Sequence, residues 1–409
     1  MSDIKRIALI IGQSFEYGRG TLRGIHKYAQ DKPWLLHRQA PDDDALKFLH
    51  DWHPSGIIAF FDSSMLPQYQ KLGIPLLVLS DNNEANDITR IGTDDIAVGV
   101  LAAQHLLARG LANYAYFGTK NYRFSTLREQ GFREELARHG FIPNVLNVDY
   151  HSKANSSTSR WTPIYSSLRE WLKKLPQPVG VMAFNDSGGM AVSDICREMG
   201  INVPRDIAII GVDDDELRCN MAFPPLSSVK LPTEQIGYRA AQMLEHIMES
   251  PRYTPITTLL PPVQVVTRQS TDVTVVDDPD IATVLRYIKA HAKEKIDIVD
   301  ILAQVPLSRR ALEQRMRTIL HISPLEAIHQ AHMELAESLL LNTDEPLATV
   351  AQSSGFGSVN SMIRIFMQMH DISPTAYRNI NRLPDDVKAN RAKPATKKGN
   401  TASRAKREK

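Results

Sequence analysis

The chain has 409 residues, 43% apolar and 23% charged, with a formal net charge of +2. That length is too great for one core, so two or three compact units are expected, and the composition is globular rather than disordered or fibrous. Two cysteines, Cys196 and Cys219, with no Cys-x-x-Cys pair or Cys/His cluster, argue against a disulfide framework or a zinc site and fit a reducing compartment.

The first residues lead directly into the short apolar run 7–11, too brief for a signal h-region. No stretch reaches the roughly 18 apolar residues of a membrane helix. A cytoplasmic protein without a membrane partner is therefore expected.

Short β-branched runs at 6–11, 56–61, 75–79, 114–118, 180–184 and 207–211 predict strands. Segments 20–30, 94–109, 126–139, 186–199 and 233–248 space their apolar residues three or four apart and predict helices. Alternation of this kind implies an α/β fold of parallel sheets covered on both faces, with ligands beyond the carboxyl ends of the strands.

Polar residues gather at those ends. Asp62 follows the strand at 56–61, Asn185 and Asp186 follow 180–184, and Asp213, Asp214 and Asp215 follow 207–211. Carboxylates and amides there suit the hydroxyls of a neutral polyol better than an anion. Arg128 adds a donor fork for two neighbouring hydroxyls or a carboxylate. The plainer alternatives are a helix cap for Asn185 or Asp186, a solvated turn for 213–215 and a surface arginine for Arg128. No dinucleotide, phosphate-loop, serine-hydrolase or zinc-protease motif is present, so no cofactor or catalytic residue is assigned. His329 and His332 share a helix face but lack a third metal ligand.

Proline-rich and acidic stretches then close the alternating segment, placing a linker at 273–280 between a unit at 1–272 and a wholly helical one at 281–380. Within the second unit the sequence repeats at an offset of 50. Ser308, Leu312, Met316, Ile322, Ser323 and Pro324 find counterparts in Ser358, Met362, Phe366, Ile372, Ser373 and Pro374. Each copy begins with a serine suited to capping, continues with an apolar face and stops at Ser-Pro.

In the first copy, helices at 296–304 and 308–320 flank a tight break at Val305-Pro-Leu. This is the arrangement of a helix-turn-helix whose second helix enters the major groove of duplex DNA. Ser308, Arg309, Arg310, Glu313 and Gln314 are the candidate DNA-facing residues, since Arg pairs with guanine, Gln with adenine and Glu with cytosine. In the second copy 346–353 passes through Gly355-Phe-Gly, where glycine permits a positive φ, into a helix at 358–369. Its exposed candidates are Ser358, Val359, Asn360, Ser361 and Arg364, a less charged set.

The runs Leu307-Ser-Arg-Arg-Ala-Leu-Glu-Gln-Arg-Met-Arg, Ile322-Ser-Pro, Gly355-Phe, Arg364-Ile-Phe and Ser373-Pro-Thr-Ala-Tyr377-Arg378 resemble the AraC/XylS family of transcription regulators. That resemblance covers 281–380 and implies two recognition helices in successive major grooves, roughly 34 Å apart. Departures are Asn360 and Met362 where the family usually has serine and phenylalanine, Met367 for a lysine, and His321 and Asp371 for glycines.

The runs Val203-Pro-Arg-Asp-Ile-Ala-Ile-Ile-Gly-Val-Asp-Asp, Pro224-Pro-Leu-Ser-Ser-Val and Arg268-Gln-Ser-Thr resemble the LacI/GalR family, related to periplasmic sugar-binding proteins. The similarity spans about 5–272 and implies a two-lobed sensor in which Arg128, Asn185 and Asp213 contact a sugar. Unlike that family, the chain has no N-terminal helix-turn-helix. Its loop Ser14-Phe-Glu-Tyr17-Gly-Arg19 and the run Ala59-Phe-Phe-Asp62 are similar to regulators that join these two parts in this order. That likeness adds Tyr17, Arg19 and Asp62 to the site and implies D-xylose as effector, with a homodimer, an operator and RNA polymerase as partners.

Alternatives are another pentose or a nucleoside as effector, or a sugar-modifying enzyme fused to a DNA anchor. Residues 388–409 hold nine Lys/Arg against the single acid Glu408. The tail at 381–409 therefore reads as disordered and basic, either solubilising or weakly attracted to nucleic acid.

Overall fold

In the computed structural model the described residues are 4–42, 44–60, 65–79, 88–120, 122–149, 157–250, 254–272, 278–320, 322–370 and 372–381. The chain opens with β1 (Lys5–Ile10), α1 (Glu16–Ala29), β2 (Trp34–Gln39), α2 (Ala45–Trp52), β3 (Gly56–Ala59), α3 (Leu66–Gln70), β4 (Leu76–Val78) and β5 (Thr89–Thr93). It continues with α4 (Asp95–Leu107), β6 (Asn113–Thr119), α5 (Arg123–Arg138), β7 (Asn144–Val148), α6 (Ser157–Leu172), β8 (Val179–Ala183), α7 (Asp186–Glu198), β9 (Ile207–Val212), α8 (Glu216–Met221) and β10 (Ser227–Lys230). Then come α9 (Thr233–Glu249), β11 (Thr257–Leu260) and β12 (Gln264–Val266).

These strands form two six-stranded sheets, ordered β11-β5-β4-β3-β1-β2 and β12-β10-β9-β8-β6-β7. Every pairing is parallel except β10 with β12. Strand β8 is buried at every position, as a parallel strand covered on both faces must be. Strand order reverses beside β1 in one sheet and beside β6 in the other, which opens a crevice at the carboxyl end of each. Three crossings link the lobes: from β5 to α4, from β10 to α9, and from β11 to β12. One lobe keeps its core on the two sides of its sheet, around Ile7, Ile58 and Leu244 and around Ile10, Ile57 and Tyr69. The other gathers Phe117, Phe132, Val181 and Ile209.

From Asp278 onward the described residues are helical: α10 (Pro279–Ala290), α11 (Ile298–Leu302), α12 (Arg309–Leu320), α13 (Pro324–Asn342), α14 (Leu347–Ser353), α15 (Val359–His370) and α16 (Pro374–Asn381). Helices α12 and α15 start and stop 50 residues apart. Four serines make the repeat physical: Ser308, Ser323, Ser358 and Ser373 accept hydrogen bonds from the amides of Ala311, Glu326, Ser361 and Ala376 at 3.1–3.2 Å. Ser-Pro, expected to end each copy, instead opens the next helix, with proline in its first turn where no amide donor is needed. Each copy has its own core, Leu312 and Met316 in one and Met362 and Phe366 in the other. Gly355 turns at φ 75°, the left-handed backbone expected of it.

Candidate functional site

The crevice in the second lobe is lined by residues that the strand ends deliver. Arg128, on the first turns of α5, is buried; its Nε donates to Asp95 Oδ1 at 2.7 Å and its Nη1 to the Phe184 carbonyl at 2.6 Å. The guanidinium also lies over the Phe124 ring, 4.8 Å from its centroid. It is thus a fixed cation. Burial works against its charge, but the carboxylates of Asp95 and Asp213 more than offset this and its pKa is raised.

The turn after β9 carries three aspartates with three different surroundings. Asp213 has a left-handed backbone, φ 111°, and its amide donates to Val229 O at 3.0 Å. Burial pushes its carboxyl up to about 7, with Arg128 pulling the other way and Asp95, Asp215 and Glu16 adding to the rise. Asp214 pairs with Arg268 at 2.8 Å. Asp215 caps α8 and pairs with Arg218 at 3.1 Å and with Arg19 at 2.8 Å. The solvated turn of the plainer reading is not what forms, since Asp213 and Asp215 are both buried.

Asp186 is what holds this turn. It accepts from the Asp215 amide at 2.7 Å and from the Ser228 hydroxyl at 2.6 Å, while being almost wholly buried. Its neighbour Asn185 uses Oδ1 to cap α7, accepting from Gly188 N at 2.9 Å. The side-chain NH2 of Asn185 can still donate. The plainer expectation of a cap is therefore met by Asn185, and the structural anchor is Asp186.

Of the three residues expected from the first lobe, Tyr17 stands at the mouth, its ring tilted against Phe60 at 5.0 Å between centroids and its hydroxyl donating to Leu79 O at 3.1 Å. Arg19 differs from expectation. Its guanidinium is taken up by Glu16 at 3.3 Å, the Gln13 carbonyl at 3.0 Å and Asp215, so it bridges the lobes. Arg218 crosses in the same place, donating to Ser14 O at 2.8 Å beneath the Phe15 ring. Sequence spacing holds no sign of these pairs, whose partners lie about two hundred positions apart. Asp62 lies outside the described residues. Asp95 and Glu16 were missed: each looks like an ordinary first-turn helix acid.

On the helical region, Arg310, Glu313, Gln314, Arg317 and Thr318 line one open groove along α12. Arg309 pairs with Glu313 at 3.1 Å, and Arg315 turns back to Asp278 and Asp280 at 3.0 and 3.2 Å. Arg310 and Gln314 are exposed. On α15, Asn360 and Arg364 are exposed, whereas Val359 and Ser361 are half-buried. Val359 packs against the core of its unit, a correction to its expected exposure, because β-branched carbon at the start of this helix finds apolar neighbours. Ser308 and Ser358 serve as caps and stay exposed. Among the described residues no group of acids, histidines and cysteines is placed to hold a metal, and no helix is long and apolar enough to cross a membrane.

Two families match the chain: one described as a periplasmic binding protein-like domain, over residues 103–271, and one described as a helix-turn-helix domain, over residues 301–380. The chain is similar to the xylose operon regulatory protein of Escherichia coli (strain K12), 27% identical over 386 residues, covering 92% of this chain and 97% of that protein. The protein of the same name from Haemophilus influenzae is 26% identical over 384 residues, covering 91% and 98%. A solved structure of the xylose-binding transcription activator xylR covers 93% of this chain and 99% of its own, at 26% identity and a TM-score of 0.59. The chain is therefore a sugar-sensing, DNA-binding transcription regulator, a periplasmic-binding-protein-like sensor joined to a helix-turn-helix domain, and not an enzyme.

Proposed function

We propose that the effector is D-xylose, bound between the lobes against Arg128, Asn185 and Asp213, with Tyr17 approaching from the first lobe and Asp62 as a further contact. The observation that carries this reading is the convergence of a pinned donor, Arg128, with a buried carboxyl, Asp213, and the amide of Asn185 at the strand ends. Together they match vicinal hydroxyls, which donate to a carboxylate and accept from a guanidinium or amide. The relatives covering nearly the whole chain are xylose regulators, which supports the pentose. Arg19 is assigned to lobe closure rather than to the sugar, since its donors are committed to Glu16, Gln13 and Asp215.

In this reading the sensor occupies 1–272 and the DNA reader 281–380, joined by 273–280. The protein works in the cytoplasm on chromosomal DNA as a homodimer. Sugar favours one arrangement of the lobes because it makes more contacts there; only such differential affinity shifts the population. The paired recognition helices then occupy successive grooves, α12 through Arg309, Arg310, Glu313 and Gln314 and α15 through Asn360 and Arg364, and the protein activates by recruiting RNA polymerase. A thermal-shift screen over pentoses, hexoses and nucleosides tests the effector. D-xylose should give the largest rise in melting temperature, and a larger rise from another compound with none from D-xylose would overturn the assignment.

A further inference from the structure

Four contacts join the sensor to the helical region: two lie at the end of α4 remote from the cleft, and one is the salt bridge from Lys289 of α10 to Asp272 at 2.7 Å. The Tyr377 hydroxyl donates to the Val263 carbonyl, beside β12, while its ring packs edge-on against Phe366 in the core of the second unit. Glu334 of α13 lies 4.0 Å from Arg109. Between them the turn after α4 presses on the last residues of α12. Gly110, at φ 67°, sits so close that a Cβ there would fall 2.4 Å from the Leu320 side chain and 2.9 Å from the Ile319 carbonyl. Only glycine satisfies both that φ and that contact.

The sensor side of this surface is held firmly. Arg109 donates to the carbonyls of Thr271 at 3.3 Å and His105 at 3.0 Å, and the buried His105 ring meets the Thr271 hydroxyl at 2.8 Å. Burial, with Arg109 nearby, keeps that histidine neutral by lowering its pKa well below the ordinary value.

The other end of α4 begins in the cleft. Asp94 caps it through the Ala97 amide at 3.0 Å, and Asp95 carries the 2.7 Å pair with Arg128. One turn on, Gly99 lies against the backbone of α5, where a Cβ would come within 2.1 Å of the Arg128 carbonyl. Arg128 and α4 therefore move as one body. Thirteen residues of helix span about 20 Å, so α4 runs from the Asp95–Arg128 pair towards the surface seating α12.

We infer that the surface formed by Arg109, Gly110 and Val263 is the docking face through which the sensor grips its own DNA-binding helices, and that α4 carries the state of the cleft to it. The inference rests on the reading that a sugar engages Arg128. A sugar drawing on the guanidinium alters its hold on Asp95, and the displacement of α4 reaches the seat of Leu320 and, through the shared lobe, that of Tyr377. Because these residues belong to the first and second units respectively, the displacement resets both recognition helices together. Coupling of this kind requires an element with two arrangements biased from both ends, and it is reciprocal.

The test uses the full chain, with Tyr377→Phe and Gly110→Ala as variants. Phenylalanine keeps the ring against Phe366 and removes the hydroxyl that bonds Val263. DNA affinity is measured by fluorescence anisotropy on a duplex selected by the wild-type protein, with and without D-xylose, and the ratio of the two affinities is the coupling factor. A wild-type factor of roughly 5- to 150-fold is expected, falling towards one in both variants while sugar affinity without DNA stays within about twofold. An unchanged factor in both variants overturns the inference. A wild-type chain that binds DNA with an affinity indifferent to D-xylose contradicts the effector assignment instead, and the factor is then read with the compound that stabilises the sensor.

Discussion

Asp213 combines a left-handed backbone, burial and a cationic neighbour, three features that a surface aspartate does not need. Its carboxyl titrates at about 7 in the folded chain, above the 3.8 of an unperturbed aspartate, because burial disfavours its charge. The folded chain therefore holds this proton longer than the unfolded one. The stability it contributes is complete below pH 3.8 and is lost as pH rises to about 7. Asp213→Asn, which tolerates the same φ, should remove that part of the pH dependence of denaturant unfolding; an identical slope in wild type and variant would count against the assignment. The ionised form is the better acceptor for hydroxyls, so D-xylose affinity should increase over the same pH span in the wild type and lose that increase in the variant. Losing a hydrogen bond to a charged group costs about 1.5–3 kcal/mol, so calorimetric titration of Asp213→Ala should show roughly 10- to 150-fold weaker sugar binding.

Helices α12 and α15 share length, caps and buried residues, yet their outer faces differ. The first presents Arg310, Gln314 and Arg317 around an open groove, while the second offers Asn360 and Arg364. Arg310→Ala should cost about 1–3 kcal/mol of DNA affinity and relax preference at one base pair, as loss of a base contact does. Arg364→Ala should weaken binding more evenly across sequences, as loss of a phosphate contact does. A panel of single-base operator variants read by anisotropy separates the two, and equal behaviour of both mutants would contradict the division. The helical repeat was legible because each copy carries local signals, a serine cap and apolar residues four apart. Strand β5 was not legible: its sequence Thr-Arg-Ile-Gly-Thr looks polar although every residue is buried, its arginine included. Edge strand β2 has only half-buried and exposed positions over its six residues and offers no continuous apolar run.

Across the whole molecule, what spacing conveys and what it hides divide along the same line. Arg128, Asn185 and Asp213 follow strands that the sequence marks, so their gathering in one cleft could be read from strand order. The bond from Tyr377 to Val263, the salt bridge from Arg19 to Asp215 and the seat of Leu320 on Gly110 depend on the lobes being threaded by three crossings, which no local pattern encodes. Those long-range contacts place the cleft, the crossing points and the recognition helices in one connected body. The central claim is that sugar in the cleft governs occupancy of DNA. Quantitative footprinting of the full-length protein on its selected duplex, with and without D-xylose, tests this most directly. The account predicts that D-xylose strengthens protection of two successive major grooves on one face of the duplex, roughly 34 Å apart. Protection unchanged by D-xylose at every protein concentration would contradict it.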